Sequence, residues 1–273
     1  MKNCAYINMK IVVFDLDETL GYFTEFGIFW DCLLDYLKNK NVPSLTQSDF
    51  DNILDLFPEF LRPNIINILT YLKKKKQTLC CHKMMIYTNN NGPKEWAHHI
   101  ISYFSKKINY KLFDQLISAF KINGKVVEVC RTTHNKTYND FIKCTKLPVN
   151  SEICFLDDTF YPEMTNDNIY YINVKPYYYD LDFEYMLDKF SNSDIGKKII
   201  DNDDNFNKIM SQHIKTYKYL FIDKDQKEYE LDKIIGKQII KHLQEFFTKN
   251  KKNKTVRNKK IKNNKFNKTQ RNY

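Results

Sequence analysis

Three short stretches of the chain share one design, a run of apolar residues that stops abruptly at a polar group. They are Lys10-Ile-Val-Val-Phe-Asp15, Lys83-Met-Met-Ile-Tyr-Thr88 and Glu152-Ile-Cys-Phe-Leu-Asp157. Four or five unbroken apolar positions with β-branched and aromatic content predict strands buried on both faces. The runs 169–174 and, more weakly, 116–120 predict two more. Between these runs the spacing turns helical. Ile65, Ile66, Ile68, Leu69 and Leu72 form one apolar stripe, and Ala97, Ile100, Ile101, Phe104 and Ile108 form another behind Pro93, a residue suited to a first helical turn. Residues 138–143 and 182–190 read as helices too. Strands alternating with helices predict an α/β fold with a doubly wound, mostly parallel sheet, and such sheets bind ligands at the carboxyl ends of their strands. The polar residues that end the three buried strands are therefore expected to meet.

About 70 residues separate the first two strands, more than one crossover needs. Residues 21–60 are rich in Phe, Trp and Leu, with helical patterns over 30–37 and 50–57, and read as an insert packed over the strand ends as a cap. The main domain is then 1–194. Residues 195–248 read as an accessory α/β segment with a strand over 217–222 and a helix over 231–247, and residues 249–273 as a disordered, low-complexity basic tail.

Charge and cysteine usage narrow the function classes. The chain carries a net charge of +10, but 249–273 alone holds eleven Lys or Arg and no acidic residue, which leaves the rest near −1. The cationic character is an appendage, suited to solubility, nuclear import or docking on nucleic-acid backbones. The Asn- and Lys-rich, Gly- and Ala-poor composition has the style of an AT-rich genome, such as that of a large DNA virus or a protist. Seven cysteines without a C-x-x-C pair read as reduced thiols in a cytoplasmic-type compartment, and Cys80-Cys81-His82, just before a strand, is a weak candidate for metal ligation. No stretch approaches the ~20 apolar residues of a membrane helix, and the amino-terminal sequence lacks signal-peptide character.

The strand-end residues suggest a reaction. Asp15 and Asp17, two apart beyond a buried strand, suit a carboxylate nucleophile and a proton donor–acceptor. Carboxylates so close need a cation, and Mg²⁺ fits oxygen ligands drawn from Asp15, Asp17, Asp157 and Asp158. The Thr88 hydroxyl and the backbone N–H groups that follow, beginning at Asn89, suit phosphoryl oxygens, with a helix amino terminus behind them. A fixed positive charge is also required. Lys136 is best positioned, ahead of a helix and 21 residues before Asp157, with Lys121 and Lys125 as competitors.

The ordered set VVFDLDET, MMIYT, Lys136 and ICFLDD resembles the four signature motifs of the haloacid dehalogenase superfamily. Within it, Asp-Leu-Asp-Glu-Thr-Leu20, Phe60-Leu-Arg-Pro63 and the segment 175–187 are most similar to the small CTD phosphatases, which dephosphorylate serine in a polymerase tail. The resemblance implies a Mg²⁺-dependent phosphomonoesterase that works through an aspartyl-phosphate on Asp15, with Asp17 as acid and base and a phosphoprotein as the favoured substrate. It covers about 10–190. Asp157-Asp158-Thr-Phe-Tyr-Pro162 departs from the family's Asp-Asn-Ser-Pro, and the insert is longer than the family's. Peptide specificity therefore does not carry over with the catalytic residues. The alternatives are a phosphatase for a nucleic-acid end, docked through the basic tail, and a binding protein that keeps the fold without the chemistry.

Overall fold

The computed structural model describes residues 9–248; the basic tail, and with it the disorder expected there, lies outside them. Five parallel strands form one sheet: β1 (Lys10–Phe14), β2 (Lys83–Tyr87), β3 (Gln115–Ile117), β6 (Glu152–Asp157) and β7 (Ile169–Asn173), in the order β3-β2-β1-β6-β7. A small antiparallel hairpin, β4 (Lys121–Ile122) and β5 (Lys125–Val126), stands apart from it. The central strands are buried on both sides, as their unbroken apolar runs predict. The chain first builds outward from β1 through β2 to β3, then returns to the other side of β1 with β6. That reversal opens a crevice at the carboxyl ends of β1 and β6.

Helices cover the two faces unequally. Val12, Phe14, Met84, Ile86, Cys154 and Leu156 face a large core shared with α1 (Thr24–Asn39), α2 (Gln47–Leu54), α3 (Ile65–Gln77), α4 (Lys94–Lys107), α6 (Phe183–Asn192), α8 (Phe206–Thr216) and α9 (Gln226–Thr248). The short α7 (Asp194–Ile200) joins its edge. The alternate side chains, Ile11, Val13, Met85, Tyr87, Ile153 and Phe155, face a small core closed by α5 (Tyr138–Thr145).

Residues 21–60, the expected cap, carry much of the large core. Phe26, Phe29, Trp30, Leu33, Phe50, Ile53 and Phe57 are all buried in the large core, and α1 packs on α8 while α2 packs on α4. The insert is part of the helical layer because its aromatic stripes need a shared core to be buried. Its start borders the strand ends, where Gly21 bridges Asp17 and Leu61.

Two further expectations change. The run 217–222 forms no strand. It is an irregular connection between α8 and α9 with Leu220 and Ile222 exposed, so among the described residues 195–248 is helical rather than α/β. The cysteines are not all reduced: Cys130 and Cys144 form a disulfide with Cα atoms 5.0 Å apart, although fourteen residues separate them in sequence. The compartment reading loses the support of that pair. No helix among the described residues is long and apolar enough to cross a membrane.

α9 runs back along the sheet. At its middle, Gly236 meets the Arg62–Pro63 turn so closely that a β-carbon there would lie 2.4 Å from the Pro63 carbonyl oxygen. Near its end, the Lys10 ammonium donates to the Phe246 and Phe247 carbonyls at 2.8 and 3.2 Å. Lys10 opens β1, so the described chain ends at the sheet edge opposite Asp15.

Candidate functional site

The register explains the first cluster. Phe14 pairs with Leu156, so Asp15 and Asp157 stand one step further on in the same row, on the face of Val13 and Phe155. That face carries α5, whose amino-terminal cap is Thr137, and Lys136 immediately precedes it. The Lys136 ammonium donates to Asp15 Oδ1 at 2.5 Å and to Asp157 Oδ2 at 2.6 Å. All three residues are buried. The rings of Tyr161, Tyr87 and Phe155 surround the ammonium at 5.4, 5.8 and 6.0 Å from their centroids. Lys121 and Lys125 stand on the β4–β5 hairpin instead, so the fixed charge falls to Lys136.

Carboxylate oxygens of Asp15, Asp157 and Asp158 lie within 4.8 Å of one another. Thr19 steadies Asp158, its hydroxyl donating to Oδ1 at 3.0 Å and accepting from the backbone N–H at 3.2 Å. Hard oxygen donors at that spacing, two of them buried with carboxyls pushed up, fit a hard divalent cation. The Asp17 carboxylate, also expected as a ligand, is not in this group. It lies past the turn, where Asn90 Nδ2 donates to its Oδ2 at 2.8 Å. Cys80, Cys81 and His82 form no candidate metal group either; His82 Nδ1 accepts from the Lys10 backbone N–H.

The loop after β2 is wound tightly. Thr88 Oγ1 accepts from the Asn90 N–H at 2.9 Å, and Asn90 Oδ1 accepts from the Gly92 N–H at 2.9 Å. A β-carbon at Gly92 would itself sit 2.9 Å from that oxygen, so any larger residue there would displace the Asn90 side chain. The side chain of Asn89, whose backbone N–H was the expected substrate contact, is held elsewhere: its amide donates to Tyr161 Oη at 2.9 Å and its Oδ1 accepts from Arg131 at 2.7 Å. The member of the asparagine triplet whose side chain reaches Asp17 is Asn90.

Two buried arginines hold this geometry. Arg131 donates to the Thr88, Ser118 and His134 carbonyls at 3.0, 2.8 and 2.9 Å and stacks over Tyr87, fastening the Thr88 loop to the Lys136 loop. Arg62 donates to the carbonyls of Thr19 (2.6 Å), Lys175 (2.8 Å) and Glu18. Glu18 has φ +58°, a strained setting for a non-glycine residue, and the Tyr177 N–H and the Gly21 carbonyl fix it further. The Phe-Leu-Arg-Pro motif drew attention to Arg62. Nothing marked Arg131, because a clamp made to carbonyls leaves no pattern in sequence.

Burial dominates the electrostatics. It raises the Asp15 carboxyl against the pull of Lys136. Burial and the Asp15 charge lift Asp17 to about 7, and burial lifts Asp157 to about 7. The same burial would discharge Lys136, but Asp15 and Asp157 outweigh it and hold its pKa above the ordinary lysine value.

The class that fold and site define is an α/β protein with an acidic, lysine-bearing centre at the carboxyl edge of a parallel sheet. Comparison with models of known families, with curated proteins and with solved structures gave no match for this chain.

Proposed function

We propose that this chain is a Mg²⁺-dependent phosphomonoester hydrolase of the haloacid dehalogenase type, with its doubly wound fold and an aspartyl-phosphate intermediate. The observation that carries the reading is the buried Lys136 ammonium shared between Asp15 and Asp157, with Asp17 held apart by Asn90. A carboxylate nucleophile and a separate carboxyl near pH 7 are the two groups that such a reaction needs.

An Asp15 oxygen attacks phosphorus as the ester oxygen departs, and Asp17 gives that oxygen its proton. Water then attacks the aspartyl-phosphate and yields its proton to Asp17, which releases inorganic phosphate and restores both carboxyl groups. Lys136 stays charged throughout and offsets negative charge on the phosphoryl oxygens. Thr88 shapes the loop that keeps Asn90 on Asp17. Mg²⁺ held by Asp15, Asp157 and Asp158 would neutralise further charge on the phosphoryl group. Phosphorylated serine or threonine in a protein is the favoured substrate, which rests on the likeness of residues 10–190 to the small CTD phosphatases.

Hydrolysis of 4-nitrophenyl phosphate tests the reading. Asp15→Asn and, separately, excess EDTA should each reduce turnover by at least ~10³-fold, and beryllofluoride with Mg²⁺ should inhibit the wild type but not bind Asp15→Asn. Metal-independent turnover that survives Asp15→Asn would refute it.

A further inference from the structure

A cavity of about 390 Å³ opens beside Asp17, on the side of the large core. Phe23, Gly27 and Ile28 from the start of α1 and Trp96 from α4 give it apolar walls, and Asn90 and Asp31 give it polar ones. Asp17 lines it, whereas Asp15, Lys136 and Asp157 do not. The cavity therefore adjoins the proton donor rather than the phosphoryl centre, the side from which an ester oxygen leaves. Its size comes partly from Gly27, where a β-carbon would already contact the Trp96 ring at 3.5 Å.

The charge of the lining is one-sided. Asp17 and Asp31 are both acidic, and among the described side chains neither lysine nor arginine lines the cavity. Asp31 is half-buried in the wall, and no hydrogen bond or ion pair to it is found among the described residues; the nearby His213 pairs with Asp35 at 3.5 Å. A second phosphate or a carboxylate on the leaving group would face these two carboxylates at short range. An uncharged or cationic group would not, and its apolar parts would lie against Trp96 and Ile28.

We infer that this cavity is a leaving-group subsite, selecting phosphate esters of alcohols with a neutral or cationic body and rejecting those that carry further anionic groups. The inference rests on the phosphatase reading of Asp17. It sets nucleotides and nucleic-acid ends, which keep other phosphates near the reacting one, among the poor substrates.

The test compares two aryl phosphates of equal size, 4-(aminomethyl)phenyl phosphate and 4-carboxyphenyl phosphate, with a nucleoside 3′,5′-bisphosphate as a third substrate. In wild-type protein with Mg²⁺, kcat/KM for the cationic ester should exceed that for the anionic ester by tenfold or more, and the bisphosphate should fare no better than the anionic ester. Asp31→Asn should shrink the cation-to-anion ratio at least fivefold, and Asp31→Lys should invert it. Gly27→Val should raise KM for both aryl esters while sparing acetyl phosphate, whose leaving group is too small to use the cavity. Equal kcat/KM for the two esters, or a ratio unmoved by Asp31→Lys, overturns the subsite alone. Absence of Asp15-dependent turnover on every ester overturns the phosphatase reading and the subsite with it.

Discussion

The two faces of the sheet are held together by different physics. On the large face, aromatic side chains interlock: Phe50 contacts Phe26, Trp30, Trp96 and His99, with ring centroids 4.9 to 5.6 Å apart. On the small face, α5 offers only Phe141 as a fully buried apolar residue, and polar devices take over. Arg131 fastens two loops through carbonyls, Asp140 accepts from the Thr132 N–H and hydroxyl, and a disulfide joins Cys130 to α5. The candidate site draws on both. Asp15 and Lys136, the proposed nucleophile and fixed charge, belong to the small face, and Asp17, the proposed proton donor, and the cavity beside it border the large one. Charge needs exact partners and little volume, whereas the shape of a cavity needs a thick layer to define it.

The sharpest way to break this comparison is Lys136→Ala. It should cost at least ~10³-fold in aryl phosphate turnover, and it should also destabilise the fold by roughly 3–5 kcal/mol, because Asp15 and Asp157 lose their shared counter-charge while buried. Urea unfolding beside steady-state kinetics separates the two effects. Phe50→Ala on the large face should destabilise by a similar ~3–5 kcal/mol, but with turnover per folded molecule within a few-fold of wild type, since Phe50 touches no reacting group. Equal loss of turnover from both variants would mean that the faces are not functionally distinct.

Removing the disulfide comes next. Cys130→Ser with Cys144→Ser, or a dithiol reductant on wild type, should lower unfolding stability by about 2–4 kcal/mol, as expected for a loop this short. Thermal melts with and without reductant would read it, and a melt indifferent to reductant would show that Arg131 and Asp140 suffice. The smallest effect concerns Glu25 on α1, which is fully buried, with one oxygen accepting from the Leu181 N–H at 2.6 Å and the other unpartnered. Burial lifts its carboxyl from 4.5 to about 8. The folded state keeps this proton longer than the unfolded one, so the associated stability is complete below about pH 4.5 and is lost as the pH rises to about 8. Glu25→Gln should remove that slope and add on the order of 1–3 kcal/mol at pH 7 to 8. Chemical denaturation across pH 5 to 8 would check this, and an unchanged slope would rule out Glu25 as its source.

Much of the fold was legible because it rests on local pattern. Apolar runs of strand length located all five main strands, and helical stripes located α3, α4 and α6. The run 217–222 has the composition of a strand but pairs with none, and pairing is a property of the whole sheet. Asp15, Lys136, Asp157 and Asp158 stood out as site candidates because abrupt polar stops after buried strands are unusual. Arg131, Asn90 and the Cys130–Cys144 pair did not, since each acts on a partner that only folding brings near.

By itself, then, the sequence determined which residues end strands and so gather at one edge, because burial of a parallel sheet demands continuous apolar runs and leaves polar groups only where those runs stop. The tertiary structure decided how that edge divides. It set Asp15 and Asp157 on the face of Lys136, turned Asn90 rather than Asn89 toward Asp17, and brought the start of the insert into the wall of the cavity. Those choices depend on register, on loop closure through carbonyl contacts and on which aromatic surfaces find each other, and none of the three is written in local spacing.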